Sequence, residues 1–173
     1  MSVLNIVNYP DPVLLRVGDP VLPEEFGEGL QQLEADMLET MKYAGGVGLA
    51  APQVGVSKRL FVMDVADESG EPRKRLIVNP EILHFEGEQT GDEGCLSFPG
   101  LFQVVTRQSR VVVRGQDALG NVVEFDETGL AARCILHETD HCDGIVFLDR
   151  MTSLKRELAK RKIKRLQKSG EWN

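Results

Sequence analysis

The amino-acid sequence predicts one domain of the α+β class over residues 1–173. Apolar residues with helical spacing occur both before and after the middle of the chain, and short β-branched segments separated by glycines fill the middle. No internal repeat or linker interrupts this order. With 42% hydrophobic and 27% charged residues, the composition disfavours collagen, coiled-coil and disordered proteins. A chain of this length can bury a core without disulfide bonds.

The first element is an extended strip over residues 1–20. Pro10, Pro12 and Pro20 surround a short apolar run, which predicts an extended backbone with one helical turn. From Glu24 an amphipathic helix is predicted, ended by the glycines at 45 and 46. Its apolar positions recur at intervals of three or four: Phe26, Leu30, Leu33, Met37 and Met41.

The central region predicts short antiparallel strands joined by turns. The β-branched segments are 60–65, 75–78, 104–106, 110–114 and 122–125. The glycines predicted to mark turns between them are Gly70, Gly87, Gly91, Gly100 and Gly120.

A second helix is predicted from Thr128, as N-cap, to about residue 142, with Gly144 as its left-handed stop. Offsets of four, three and four relate Leu130, Cys134, His137 and His141. Both imidazoles therefore share a face with Leu130, which is expected to pack in the hydrophobic core. Polar rings are turned inward on this helix.

A last helix, 152–168, carries an unusual charge. Between residues 155 and 168 lie eight basic residues and one acid, whereas the rest of the chain holds 12 basic and 26 acidic residues. Leu154, Leu158 and Leu166 are predicted to form its packing side. The basic surface suits docking on ribosomal RNA, and the alternative is a solvated helix packed on an acidic body.

The strongest chemical signal is His137-Glu138-Thr139-Asp140-His141, an H-E-x-x-H pattern on the second helix. Imidazoles four residues apart can hold one metal ion, and Glu138 between them can reach a metal-bound water. The alternative is a helix with two buried, hydrogen-bonded histidines.

A catalytic site of this kind needs a third protein ligand, and spacing alone offers Cys95, Cys134, Cys142 and several acids. Cys134 lies one turn before His137, so reaching a metal ion between His137 and His141 would strain the helix. Cys142 points about 100° away from His141 around the helix axis. Cys95 remains, beside Gly94, which permits close backbone approach, and Leu96, whose amide can donate a hydrogen bond. The alternative for Cys95 is an inert buried thiol.

The glycine-rich stretch 45–53 resembles a phosphate-binding loop but lacks the Lys-Ser/Thr pair that a P-loop requires, which disfavours nucleotide binding. Its small residues instead indicate backbone packed beside a ligand. The carboxamide of Gln53 could donate to an oxyanion. The alternative is an ordinary glycine-rich helix end.

Taken in order, the segments 46–53 (Gly-Val-Gly-Leu-Ala-Ala-Pro-Gln), 93–97 (Glu-Gly-Cys-Leu-Ser) and 137–141 closely resemble the three motifs of bacterial peptide deformylases. The resemblance covers nearly the whole chain. It implies antiparallel sheets packed around a central, metal-binding H-E-x-D-H helix. It also implies an enzyme that removes the formyl group from the N-terminal formyl-methionine of newly synthesised polypeptides, releasing formate.

The resemblance further implies roles for individual residues. It implies one divalent metal ion per chain, with Fe²⁺ expected and Zn²⁺, Ni²⁺ or Co²⁺ as substitutes. The implied metal ligands are Cys95, His137 and His141; the implied catalytic groups are Glu138, Gln53 and the Leu96 amide; the implied substrate-binding residues are Val47, Gly48 and Gly94. The chain departs from the pattern at Leu136, at Cys142 and at Phe102, where several members have a basic residue.

Location and partners follow from simpler features. Three cysteines cannot form a disulfide framework, the N-terminus lacks a secretory leader, and no apolar run approaches the ~20 residues of a membrane span. We therefore expect a cytoplasmic protein whose partners are formyl-methionyl nascent polypeptides and, through the basic helix, the ribosome, with no membrane or DNA partner. A zincin-type endopeptidase and a non-catalytic metal- or ribosome-binding module are the other function classes.

Overall fold

The structure, a computed structural model, describes residues 1–172. Within this range the chain forms three α-helices and seven β-strands. The helices are α1 (Glu28–Tyr43), α2 (Gly129–Cys142) and α3 (Ser153–Lys168). The strands are β1 (Gly48–Ala50), β2 (Leu60–Asp64), β3 (Lys74–Glu86), β4 (Gln89–Gly94), β5 (Phe102–Arg107), β6 (Arg110–Gln116) and β7 (Val122–Thr128).

The strands form two antiparallel sheets. One has five strands in the order β1-β2-β3-β6-β7, and the other consists of β4 and β5. In the larger sheet, Phe61 of β2 lies opposite Ile77 of β3, and in the smaller sheet Gly94 lies opposite Phe102. Every pairing between these strands is antiparallel, which confirms the α+β prediction.

Helix α2 lies at the centre of this arrangement. Its apolar side packs on the five-stranded sheet, where Ala132 and Ile135 join a buried cluster with Phe61, Ile77 and Val113. Towards the two-stranded sheet, side chains of α2 make hydrogen bonds with residues of β4 and β5. The predicted arrangement of sheets around the metal-motif helix is therefore confirmed.

The N-terminal strip joins the segments that carry the first two motifs. Its predicted helical turn is present as a short 3-10 helix over Pro12–Leu15. The amide of Val7 donates to the carbonyl of Gln53 (2.8 Å), and the amide of Tyr9 donates to the carbonyl of Ser97 (2.9 Å). The Tyr9 ring stacks on Phe98 at 4.9 Å. The strip thus fixes the segment of Gln53 beside that of Cys95.

Several predicted strand boundaries were wrong. The structure adds β1 and β4, which the sequence did not predict, and extends the segment 75–78 to the 13-residue strand β3. Gly91 lies inside β4, paired with Val105, and not in a turn. Neither β1 nor β4 contains more than one β-branched residue, so their strand structure depends on pairing with neighbours rather than on local propensity.

Two predictions about the helices were also wrong. Helix α1 begins at Glu28 and not at Glu24, because Pro23–Glu25 forms a 3-10 turn and Gly27 has φ +124°. Leu130 is 55% exposed, so it does not join the core as expected.

The packing side of α3 differs from the predicted one. Leu154 and Leu158 are 71% and 54% exposed, whereas Ala159 and Ile163 are buried and Leu166 is partly buried. The buried residues follow the face that meets the cluster around Phe98 and Phe147. No helix within residues 1–172 has the length and apolar character needed to cross a bilayer.

Candidate metal centre and active site

Three side chains from two parts of the chain converge on one point. The ligand atoms of Cys95, His137 and His141 all lie within 4.8 Å of one another. The Cys95 Sγ is 3.3 Å from Nε2 of His141, and the two imidazole centroids are 5.0 Å apart. The histidines meet because residues four apart share a helix face, and Cys95 comes from the segment after β4.

Cys134 and Cys142 do not belong to this group, as the helix geometry predicted. The Cys134 thiol points at the carbonyl of Val47 (Sγ to O, 3.6 Å). Burial raises the pKa of Cys142 to about 12 and raises the pKa of Cys134 well above its ordinary value. Both side chains are therefore protonated thiols of the core.

The end of α2 that carries His141 is held against the N-terminal strip. Gly144 has φ +72°, and a Cβ at this position would lie 2.6 Å from the carbonyl carbon of Arg16. Glycine is therefore required here, both for the left-handed turn and for the close approach. The amide of Gly18 donates to the carbonyl of Cys142 (2.9 Å), which fixes the same junction.

Glu93 holds the ring of His137 in place. Its Oε2 lies 2.7 Å from His137 Nδ1. A carboxylate accepts, so Nδ1 carries the proton and Nε2 is left with its lone pair for a metal ion. Burial acts to raise the pKa of Glu93, but hydrogen bonds from His137 and Arg107 outweigh it and lower the pKa well below its usual range. Glu93 is therefore ionised and a permanent acceptor.

A chain of ion pairs extends from buried Glu93 to Arg150 at the surface. Arg107 on β5 donates to Glu93 through Nε (3.1 Å) and Nη2 (2.8 Å), and through Nη1 to Asp140 (2.6 Å). Arg150 completes the chain with two hydrogen bonds to Asp140. Buried charges are tolerated when each is paired in this way. The network joins the two-stranded sheet to α2 at the turn that carries both histidines.

Glu138 lies beside the ligand group in an environment that favours its neutral form. Its side chain is buried, and Oε2 has no hydrogen-bond partner within residues 1–172. Burial raises its pKa to about 7. A Cβ placed on Gly48 would lie 2.7 Å from Glu138 Oε1. Glycine at position 48 therefore lets the β1 backbone approach this carboxylate.

The carboxamide of Gln53 is fixed from both ends. Its Oε1 accepts from the amide of Ala50 (2.9 Å), and its Nε2 lies 3.2 Å from Ser97 Oγ and 3.5 Å from Cys95 Sγ. This orientation points the donor end towards the ligand group. The neighbouring Leu96 amide donates no hydrogen bond to any residue in the range 1–172.

An open cavity of about 400 Å³ leads from solvent to the ligand group. One wall is a single stripe of α2: Leu130, Arg133, Cys134, His137 and Glu138. The predicted residues Val47, Gly48, Gly94, Cys95 and Leu96 also line it. The ring of Phe102 packs on Gly94, where a Cβ would collide with it. Gln53 and His141 lie outside this lining; Gln53 reaches Cys95 Sγ through Nε2, and His141 through its ring Nε2.

Comparison with known proteins agrees with this geometry. A sequence model described as "Polypeptide deformylase" matches residues 3–157. The chain belongs to the polypeptide deformylase family. The curated peptide deformylase of Acidobacterium capsulatum is 46% identical over 172 residues, covering 99% of this chain and 100% of the relative. That of Chromobacterium violaceum is also 46% identical, over 170 residues.

Solved structures of this family match the fold. The crystal structure of the Legionella pneumophila peptide deformylase aligns with a TM-score of 0.85 at 44% identity, covering 96% of this chain and 98% of that one. The Ehrlichia chaffeensis peptide deformylase aligns with a TM-score of 0.88 at 38% identity, covering 98% and 99%. A further structure of the latter, in complex with actinonin, has a TM-score of 0.86 at 40% identity, covering 95% and 98%.

Membership of the polypeptide deformylase family decides between the three function classes left open by the sequence. The chain is a hydrolase that removes the formyl group from the N-terminal formyl-methionine of newly synthesised polypeptides, releasing formate. The family consists of metalloenzymes, and Cys95, His137 and His141 form a group able to hold a metal ion.

Sequence reasoning missed the residues that support this deformylase site: Glu93, Arg107, Arg133, Arg150 and Ser97. One signal could have found Glu93. A metal-binding histidine needs an acceptor for its second nitrogen, and Glu93 is an acid two residues before the candidate ligand Cys95. The arginines come from distant positions, and no local pattern marks them.

Proposed function

We propose that deformylation by this chain depends on six groups with distinct roles. Cys95, His137 and His141 bind one divalent metal ion, and Glu138 transfers protons. The Gln53 carboxamide and the Leu96 amide stabilise the developing negative charge. The observation that carries the proposal is the convergence of a thiol and two imidazoles within 4.8 Å, beside a buried carboxyl with an unpaired oxygen.

The residues present suit a catalytic metal ion. One thiolate and two imidazoles are three ligands, and three leave a coordination position open for a reactant. Such an ion, when bound, lowers the pKa of water from 15.7 towards ~7 and polarises a carbonyl group. This donor set suits both zinc and iron. We propose Fe²⁺, on the resemblance to deformylases, with Zn²⁺, Ni²⁺ or Co²⁺ as substitutes.

Glu138 is proposed as the general base and acid. Its Oε2 has no hydrogen-bond partner within residues 1–172 and can accept the proton of the attacking water. The same carboxyl then delivers that proton to the nitrogen of the leaving peptide, so that the C–N bond of the formamide breaks to give formate and a free amine. A pKa raised to about 7 suits both directions of transfer near neutral pH. A positioned group of this kind contributes roughly 10²–10⁴ in rate.

Gln53 and Leu96 are proposed to stabilise the oxyanion. The Gln53 Nε2 is already directed towards Cys95 by the hydrogen bond between its Oε1 and Ala50. The Leu96 amide follows Cys95 directly in the chain and has no acceptor within residues 1–172. Loss of one such donor costs on the order of 3 kcal/mol in the transition state.

The substrate is proposed to lie in the cavity beside β1 and β4. Val47, Gly48 and Gly94 line it, and the two glycines let the protein backbone pack directly against Glu138 and Phe102. The α2 wall offers Leu130 and Cys134 as apolar contacts for an unbranched side chain. The cavity therefore suits a formyl-methionyl N-terminus, with the formyl group directed at the ligand group.

The metal assignment can be tested by reconstitution. Apoprotein is prepared without oxygen, loaded with one equivalent of Fe²⁺, Zn²⁺, Ni²⁺ or Co²⁺, and assayed by formate release before and after exposure to air. We expect high activity with Fe²⁺ that is lost in air, because a thiolate and a ferrous ion both oxidise. Activity with Fe²⁺ that survives prolonged exposure, or Zn²⁺ protein of higher activity, would contradict the iron proposal.

The basic helix is proposed to dock on ribosomal RNA. On α3, Lys160, Arg161, Lys164, Arg165 and Lys168 are exposed, and no basic residue of this helix forms an ion pair within the described part of the chain. Uncompensated cations on one helix suit phosphate contacts, whose strength falls as salt rises. We further propose that residues 1–173 act as one catalytic domain in the cytoplasm.

Docking can be tested by co-sedimentation with ribosomes at low and moderate salt. Reversing Lys160, Lys164 and Lys168 to Glu should abolish pelleting at low salt, and the wild type should lose it as salt rises. Reversing three exposed basic residues outside α3 (Lys42, Lys74 and Arg114) is the matched control. Equal loss in both triple variants would argue that net charge, and not α3, causes the association.

A further inference from the structure

Arg133 carries a buried charge that has no role in the proposed reaction. The residue is 7% exposed and lines the substrate cavity from α2. Both of its hydrogen bonds use the same nitrogen: Nη1 donates to Glu93 Oε1 (3.0 Å) and to the carbonyl of Val105 (3.0 Å). Within residues 1–172, Nε and Nη2 have no acceptor. An arginine cannot lose its charge, so these donors need a partner.

The free nitrogens of Arg133 are not sealed from solvent, and the residue lines the cavity. The polar side-chain atoms that are both sealed from solvent and unpartnered in residues 1–172 belong to Glu138, Thr139 and His141. The nitrogens of Arg133 are absent from that group. Nη2 also lies 3.6 Å from the position that a Cβ of Gly91 would occupy. Because position 91 has no side chain, no Cβ from this residue fills the space beside Nη2.

The distance from Arg133 to His137 along α2 is similar to the length of the substrate's first side chain. Arg133 precedes His137 by four residues, which is one helical turn and about 6 Å along α2. Leu130 and Cys134 lie on the same wall of the cavity. A substrate whose formyl group lies at His137 and Glu138 can extend an unbranched first side chain along this wall, with its far end near Nη2.

We propose that Arg133 is a specificity-determining residue that donates a hydrogen bond, through Nη2, to an acceptor near the end of the substrate's first side chain. In formyl-methionine this acceptor is the thioether sulfur. The inference rests on the proposed function, because it places the formyl group at the metal ligands. A hydrocarbon side chain of equal length leaves a buried donor unpaired. A sulfoxide oxygen is a stronger acceptor, so formyl-methionine sulfoxide is also a substrate.

The test compares kcat/KM for three peptides, formyl-X-Ala-Ser, in which X is methionine, norleucine or methionine sulfoxide. Norleucine replaces the sulfur by a methylene group and changes little else. The wild type should prefer methionine over norleucine by roughly threefold to tenfold, as expected for one hydrogen bond. It should also cleave the sulfoxide peptide faster than the norleucine peptide.

Two variants separate this role from a structural one. Arg133→Met keeps the length and removes the donors, so the ratio of methionine to norleucine should fall to about one. Leu130→Ala is the matched control: it removes an apolar contact from the same wall and should lower kcat/KM for all three peptides to a similar extent. Metal content and melting temperature are measured for each protein, because Arg133→Met also removes a partner of Glu93.

The outcomes are distinct. Equal kcat/KM for methionine and norleucine in the wild type would overturn the proposal without any variant. A ratio that is unchanged in Arg133→Met would overturn it also. Should that variant fail to fold, Arg133→Gln, which keeps a neutral donor, should give a reduced ratio, and an unchanged ratio would again contradict the role. Absence of formate from all three peptides would instead contradict the proposed function itself.

Discussion

Helices α2 and α3 have similar lengths, 14 and 16 residues, but they place their polar side chains in opposite surroundings. Ten residues of α2 are buried, and six of them are polar or charged. Two residues of α3 are buried, Ala159 and Ile163, and both are apolar. The central helix therefore concentrates buried polar groups, whereas the last helix keeps its charges in water.

This difference shows that the buried polar groups lie on the helix that carries the metal motif. Burying a polar group is unfavourable unless it is hydrogen-bonded, and Arg133, His137 and Asp140 of α2 find partners on β4 and β5. Those partners fix the positions of His137 and Asp140. The basic side chains of α3 form no ion pair within residues 1–172, so their charges contribute little to the stability of the fold. The effects of substitutions on stability and activity should therefore differ between the two helices, in kind and in size.

The largest effect on stability and metal binding is expected when the buried carboxylate that pairs with α2 is removed. Glu93→Ala leaves Arg133 without a carboxylate partner in residues 1–172 and His137 without its acceptor. It also leaves Arg107 with Asp140 alone. Removal of one member of a buried charged network typically costs about 3–5 kcal/mol, and loss of an outer partner weakens metal binding by roughly 10–100-fold. Urea unfolding of the apoprotein and metal competition measure the two effects separately.

The matched control is Asp126→Ala, which removes an exposed partner of Arg110. Such pairs contribute about 0–1 kcal/mol at the surface. A Glu93→Ala protein with the stability and metal affinity of this control would contradict the view that the buried network supports the site.

A smaller effect is expected in the apolar face of α3. Ile163→Ala removes a side chain that is 3% exposed, in the cluster with Phe98 and Phe147, and should cost about 2–5 kcal/mol. Leu158→Ala, on the exposed side, should change the free energy of unfolding by about 0.5 kcal/mol or less. Both are measured by urea unfolding. A larger cost for Leu158→Ala than for Ile163→Ala would show that the packing face of α3 is the one that the leucine spacing predicted.

The smallest effect is expected for the charges of α3. Lys160→Glu combined with Lys164→Glu changes exposed side chains without ion-pair partners in residues 1–172. The free energy of unfolding should change by about 0.5 kcal/mol or less, and kcat/KM for a short formyl peptide should stay within twofold. A large loss of activity on such a peptide would mean that α3 acts on the catalytic site directly.

The same comparison explains how much the sequence could predict. The bounds of α2 and the shared face of its histidines follow from local rules: a three-and-four spacing, a position for the N-cap and a glycine stop. The bounds of α2 and the placement of both histidines on one face were therefore predicted closely. On α3 those rules gave the helix but the wrong face, because Leu154 and Leu158 have helical spacing and no neighbouring element to cover them.

The elements that were missed depend on long-range contacts. Strands β1 and β4 lack β-branched alternation and exist through their pairing with β2 and β5. The ion pairs of Glu93 connect residues 14 to 44 positions apart, and only the folded arrangement brings them together. The role implied for Cys95 came from the resemblance, and the folded chain brings its sulfur to His141.

The central claim is that Glu138 transfers protons at a metal site formed by Cys95, His137 and His141. The most direct test measures formate release from formyl-Met-Ala-Ser by wild-type and Glu138→Gln proteins, both prepared without oxygen and loaded with equal amounts of Fe²⁺. The account predicts formate from the wild type and a rate lower by roughly 10²–10⁴ for the variant at equal metal content. A variant that keeps its metal and works within tenfold of the wild type would contradict it.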